Sequence, residues 1–91
     1  MKELVKLFKK KGVFNTFHTL SQFDQFRADK HMFYQKLNEF SNYNSFLRVK
    51  KDLIAKDLLN ITKNNGVANI ELTSKGKRMF FILKELNELL E

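Results

Sequence analysis

Sorted into apolar and polar positions, the chain keeps a period near 3.6 for most of its length, switches to a period of 2 once, near residue 60, and then returns. In KELVKLFKKKG the apolar residues Leu4, Val5, Leu7 and Phe8 share one helical face, and Gly12 stands as a stop or kink. VFNTFHTLSQF carries Val13, Phe14, Phe17, Leu20 and Phe23 on one stripe, as a second helix or a continuation of the first. DQFRAD reads as a connector, and Asp29 is placed to cap KHMFYQKLNEF, whose Phe33, Leu37 and Phe40 make a short apolar face. SNYNS supplies turn and capping residues and opens FLRVKKDLIAKDLL, with Phe46, Val49, Leu53 and Ile54 facing inward.

Over Leu59 to Leu72 the period becomes 2. Asn65-Gly66 favours a type I′ turn, because both central residues of that turn need positive φ. Centred there, the turn sets Asn64 against Val67 and Ile61 against Ile70. Leu59, Ile61, Ala68, Ile70 and Leu72 then share one face, and Asn60, Thr62, Asn64, Asn69 and Glu71 the other. A two-stranded ribbon does not hold itself together in water, so its apolar side should lie on a helical body. Thr73 or Ser74 caps a last helix with a broad stripe of Met79, Ile82, Leu83, Leu86, Leu89 and Leu90. The expected order is helix, helix, short helix, helix, hairpin, helix: a mostly α chain with one β-hairpin, folded as a single domain over residues 1–91.

Charge changes this picture from a small helical domain to one with a partner. The net charge is +7, and it is segmental. Lys2, Lys6, Lys9, Lys10 and Lys11 face only Glu3; Arg48, Lys50, Lys51 and Lys56 face only Asp52. Lys63, Lys75, Lys77 and Arg78 face only Glu71, while the stretch from Gly12 to Leu47 is balanced and the C-terminal end turns acidic through Glu85, Glu88 and Glu91. Two basic segments therefore flank the hairpin, which favours a polyanionic partner. With no cysteine there are no disulfides and no thiolate metal site, and a reducing, cytoplasmic setting is expected. No run reaches the roughly 18 apolar residues of a membrane span. The basic helix at residues 1–12 is expected to pack on its neighbour and not on a membrane.

Catalytic and metal chemistry find no purchase. His18 sits among Phe14, Phe17 and Leu20 as a packed or rim histidine, and His31 opens a helix with no second ligand at helical spacing. Asp24 and Asp29 read as connector and cap, not as an acid–base pair. There is no glycine-rich phosphate loop and no nucleophile elbow, so neither an enzyme nor a cofactor is expected.

A short helix, a short turn, a second helix and a following hairpin are the parts of a winged helix-turn-helix. Through KLNEFSNYNSFLRVKKDLIAKDLLNI and NGVANIELTSKGKRMF the chain resembles the DNA-binding core of bacterial and archaeal winged-helix transcriptional regulators, those of the multiple-antibiotic-resistance type and related small regulators. Leu53, Leu58 and Leu59 stand where that pattern has its leucine and its "LI", and Leu72-Thr73-Ser74-Lys75-Gly76 at its "LT.KG" step. The likeness spans Phe14 to Leu83 and departs at Asp57, where the pattern has glycine, and at Lys50, where it has an inward apolar residue.

The resemblance implies a recognition helix over residues 44–56 in the major groove of double-stranded DNA. Tyr43, Asn44, Ser45 and Arg48 at its start would face base edges, since Asn pairs with adenine and Arg with guanine O6 and N7. Lys50, Lys51 and Lys56 would reach phosphates, and the wing tip Lys63-Asn64-Asn65 would lie on the adjacent minor groove or backbone. A domain this small makes few phosphate contacts, so a homodimer is expected through the outer helices, residues 1–12 (Leu4, Leu7, Phe8) and 74–91 (Met79, Leu83, Leu86, Leu90), with recognition helices roughly 34 Å apart. The function expected is a sequence-specific regulator, a repressor, with no effector ligand named by the sequence. The alternatives are a non-specific architectural or plasmid or viral maintenance protein, and a winged-helix module for protein contact.

Overall fold

The computed structural model describes every residue except Phe40, and leaves the side chains of Glu3, Leu4 and Phe8 outside the description, so the expectations placed on Leu4, Phe8 and Phe40 fall outside the described residues. The described elements run α1 (Lys2–Phe8), α2 (Lys11–Ser21), a 3-10 turn (Asp24–Phe26), β1 (Arg27–Asp29), α3 (Lys30–Leu37), α4 (Tyr43–Ala55), β2 (Leu59–Asn64), β3 (Val67–Leu72) and α5 (Ser74–Leu90). The protein is mostly helical, with a small three-stranded antiparallel sheet in the order β1-β3-β2.

The hairpin forms in the expected register. Asn64 pairs with Val67 and Ile61 with Ile70, and the turn residues Asn65 and Gly66 take φ of 54° and 81°. The third strand was not expected. Residues Arg27, Ala28 and Asp29 pair with Glu71, Ile70 and Asn69, so DQFRAD is more than a connector. Three residues are too few to show an alternation, and only the partner strand reveals them. The chain enters β1 through a tight turn in which Gln25 and Phe26 both have positive φ. That backbone is unfavourable for side-chain-bearing residues. It aims Phe26 at α5, where its ring meets the edges of Phe80 and Phe81 at 5.6 and 5.7 Å.

The core lies between α2, α3, α4 and the apolar side of the sheet. Phe17, Leu20, Phe33, Leu37, Phe46, Leu53 and Ile70 are fully enclosed, and Phe33 meets Phe46 edge-on at 4.8 Å. Each such side chain contributes about 1.5–3 kcal/mol by leaving water. Two inward expectations need correcting. Phe14 and Ile54 are exposed, because the stripes of α2 and α4 are narrower than the sequence suggested. On α5 only Leu83 of the predicted stripe is buried and Met79 half-buried; Ile82, Leu86, Leu89 and Leu90 are exposed.

The caps follow the sequence. Asp29 Oδ1 accepts from Met32 N at 2.8 Å, Asn42 Oδ1 from Ser45 N at 3.1 Å and Thr73 Oγ1 from Gly76 N at 3.0 Å. Gly12 is not a stop. It lies inside α2, where an added Cβ would overlap the backbone carbonyl of Ser45 in α4.

The end of α4 explains the LTSKG step. Asp57 takes φ 59°, Leu58 N donates to Leu53 O and Asp57 N to Ile54 O, which is a Schellman closure with Leu58 buried against Leu53. Thr73 N then donates to Leu58 O, Thr73 Oγ1 to Asp57 O and Lys75 Nζ to Lys56 O, and Gly76 has no room for a Cβ beside Leu58 O. The start of α5 is thus fastened to the end of α4, with the hairpin held between them.

One buried group is unmatched. Thr16 is fully buried and its hydroxyl has no partner among the described residues, whereas neighbouring Thr19 donates to Asn15 O at 2.6 Å. An unsatisfied buried hydroxyl costs about 1–3 kcal/mol, and an apolar group of the same shape avoids the cost. Thr16→Val is expected to raise stability by about 1 kcal/mol, seen as a melting-temperature rise of roughly 4–8 °C. A fall in melting temperature would show that the hydroxyl has a partner after all.

Candidate nucleic-acid interface

Helix α4 buries Phe46, Val49 and Leu53. At about 100° per residue, the row farthest from that face is Asn44, Arg48, Lys51 and Ala55. All four are exposed. Leu47 and Ile54, 41% and 42% exposed, flank this row on one side, and Ser45, Asp52 and Lys56 lie on the other. Among the described residues neither Arg48 nor Lys51 has an acidic partner within ion-pair distance. The outer face therefore offers one amide, two free cations and a small apolar flank.

The remaining sequence-predicted residues divide. Ser45 is half-buried and its hydroxyl serves the cap, donating to Asn42 O at 2.8 Å and lying 2.8 Å from Ser41 Oγ, so it is not available to a base edge. Tyr43 packs edge-on against Tyr34 of α3 with ring centroids 4.5 Å apart. Burial, and then the hydrogen bond with Tyr43, push the Tyr34 hydroxyl well above its ordinary range, so Tyr34 keeps its proton and the contact ties α4 to α3. Lys50 is half-buried at the border of the inward face and stands apart from the outer row. Lys56 caps the end of α4, its carbonyl occupied by Lys75. At the hairpin tip Lys63, Asn64 and Asn65 are exposed, and Lys63 sits opposite Ala68 on the hairpin's apolar side. Of the dimer residues, Leu7 and Leu83 are core residues, each 8% exposed, and offer a partner little surface. Leu86 and Leu90 are exposed.

The one acid of α4 is turned aside. Asp52 Oδ2 accepts from Lys10 Nζ at 2.5 Å, and the carboxyl is held below its ordinary 3.8 first by that bond and then by the positive charges of Lys10, Lys56 and Lys6. Because the folded value is the lower one, the stabilisation is complete above the unfolded value and is lost as pH falls through the folded one. The stability difference between the protein and Asp52→Asn is therefore expected to be constant near neutrality and to shrink below about pH 4. A difference that does not shrink at all as pH falls below about 4 would place its source elsewhere.

Sequence reasoning missed Leu47 and Ile54, which the helical period alone would have put on the outer flanks, and the contribution of Lys9 and Lys11. Those two line a groove with Arg48. Their signal was the run Lys9-Lys10-Lys11 itself, read only as net charge. No group of three or more His, Cys, Asp or Glu residues suited to a metal ion occurs among the described residues. No described helix is long and apolar enough to cross a membrane. Comparisons with protein-family models, with curated proteins and with solved structures give no match for this chain.

Proposed function

We propose that the chain is a winged helix-turn-helix protein that binds double-stranded DNA, with α4 as the recognition helix and the β2–β3 hairpin as the wing. The single observation that carries this reading is the outer row of α4, where Asn44, Arg48 and Lys51 stand free while Asp52 is drawn away by Lys10. The order α3, short turn, α4, hairpin, α5, with β1 closing the sheet, supports it. Asn44 and Arg48 would specify bases, and Lys51 would hold phosphate. Lys63, Asn64 and Asn65 would steady the protein on the neighbouring groove. Exposed Phe81, Ile82, Leu86, Leu89 and Leu90 on α5 support a twofold dimer, and so a repressor that occupies two half-sites.

Selection from random duplexes tests this. The expected outcome is an enriched, roughly palindromic site bound with an affinity that falls steeply with salt. Binding without any enriched site would replace the regulator with a protein that coats DNA. Leu47 and Ile54 favour a second reading, a module docking an acidic protein through a mixed apolar and basic helix face. No duplex binding even at low salt would leave that reading standing.

A further inference from the structure

We infer that the groove between the start of α2 and the start of α4 is a binding site for a backbone phosphate of the same DNA that α4 reads; the inference rests on the function proposed above. The groove, about 650 Å³, is lined by Lys9, Lys11, Asn15, Asn42 and Arg48. Lys10 also lines it, with its ammonium held by Asp52; the other three cations, Lys9, Lys11 and Arg48, have no acid within ion-pair distance among the described residues. Asn15 and Asn42 line the same hollow: Asn15 Nδ2 gives one hydrogen to Ser41 Oγ at 3.0 Å and keeps a second, and Asn42, whose Oδ1 caps α4, keeps its Nδ2 donors.

Two features make this more than a solvated basic rim. First, the cations are gathered where a helix start disfavours them. Helix α2 begins after Lys10 in extended backbone, with no side-chain cap and no acid in its first turn. A helix N-terminus carries partial positive charge and ordinarily recruits Ser, Asp or Glu, so Lys9, Lys10 and Lys11 there add like charge to like. The local rule is broken on the wall of a polar groove, and an anion in that groove would attract each lysine and the helix N-terminus and so offset their mutual repulsion.

Second, the groove is continuous with the recognition face. Arg48 belongs both to the outer row of α4 and to the groove wall, so one side chain joins the base-reading surface to the lysines beside it. Gly12 keeps that junction close, since its missing side chain lets α2 approach the Ser45 carbonyl. The Lys10–Asp52 bond fixes the lysine run to α4 from the far side. A duplex with α4 in its major groove presents phosphates along both groove edges, and the edge beside Arg48 falls over Lys9 and Lys11. The chemistry is a phosphodiester oxygen held by two or three cations, a contact that positions without reading sequence.

The test compares Lys9→Gln/Lys11→Gln with a control of equal charge loss elsewhere, Lys36→Gln/Lys84→Gln, by titrating a fluorescent 20-base-pair duplex over a range of salt. Each phosphate contact adds about 0.9 to the log–log salt slope. The groove variant is expected to lose about one unit of slope, the share of a single phosphate, and about tenfold in affinity at low salt, with the site enriched from random duplexes unchanged. The control is expected to keep its slope within half a unit. An unchanged slope in the groove variant, or an equal loss in the control, would overturn the phosphate site while leaving α4's role intact. Failure of the unmodified protein to bind any duplex at low salt would instead remove the DNA-binding reading itself, and the phosphate site with it.

Discussion

Replacing Arg48 and Lys51 together by alanine is expected to lower affinity for the selected duplex by about 100-fold while leaving the melting temperature within a few degrees. Arg48 is the one cation on α4 long and free enough to make a bidentate contact with guanine, a contact that accounts for about 1–3 kcal/mol of base discrimination. Lys51 lies one turn farther on the same outer row, placed to neutralise a phosphate. Removing both takes away a specifying and a positioning contact at once, so preference at one base position should relax and the salt slope should fall by about 1. Both side chains are exposed, and surface substitutions of this kind change stability by about 0.5 kcal/mol or less. A double variant that binds the selected duplex within threefold of the parent would mean that α4 does not face DNA.

Gly12→Ala should destabilise the protein by about 3 kcal/mol, a large share of the 5–15 kcal/mol that holds a small domain folded. Intrinsic helix preference points the other way, since alanine in a helix interior is better than glycine by about 1 kcal/mol. The packing term wins because the new Cβ would collide with a backbone carbonyl, Ser45 O, and a carbonyl inside α4 cannot swing aside as a side chain can. To relieve the collision α2 must move off α4, which loosens Val13, Phe17 and Val49 together. Chemical denaturation checks this directly. A Gly12→Ala protein as stable as the parent, or more stable, would contradict the close approach.

Much of the scaffold was legible in the residues. Asn65-Gly66 announced its turn, and the alternation of Leu59 to Leu72 determined the register, because a slip of one residue would turn every apolar side chain outward. Asp29, Asn42 and Thr73 were readable as caps because their short oxygens satisfy orphan N–H groups whatever the tertiary context. What was illegible depended on contacts distant in sequence. β1 exists by virtue of β3, 40 to 44 positions away, and nothing in Arg27-Ala28-Asp29 speaks for a strand alone. Gly12 looks like punctuation until Ser45 is placed beside it. Asp57, where glycine was expected, still takes the left-handed turn, held there by the two Schellman bonds and by Thr73.

The candidate interface divides in the same way. Asn44, Arg48 and Lys51 emerge from the helical period alone, because residues opposite Phe46, Val49 and Leu53 must face out. Ser45 could not be set apart from them without its hydrogen bonds to Asn42 and Ser41, nor Tyr43 without Tyr34. The apolar stripe of α5 showed in the sequence, but which of its residues the monomer covers was decided by packing, and only Leu83 is buried well.

The central claim is that α4 presents Asn44, Arg48 and Lys51 to duplex DNA, and backbone amide shifts recorded while a selected duplex is titrated into isotope-labelled protein test it most directly. The largest changes are expected along the outer row of α4, with smaller ones at Asn64 to Gly66. Changes confined to α5, or no changes at low salt, would contradict it.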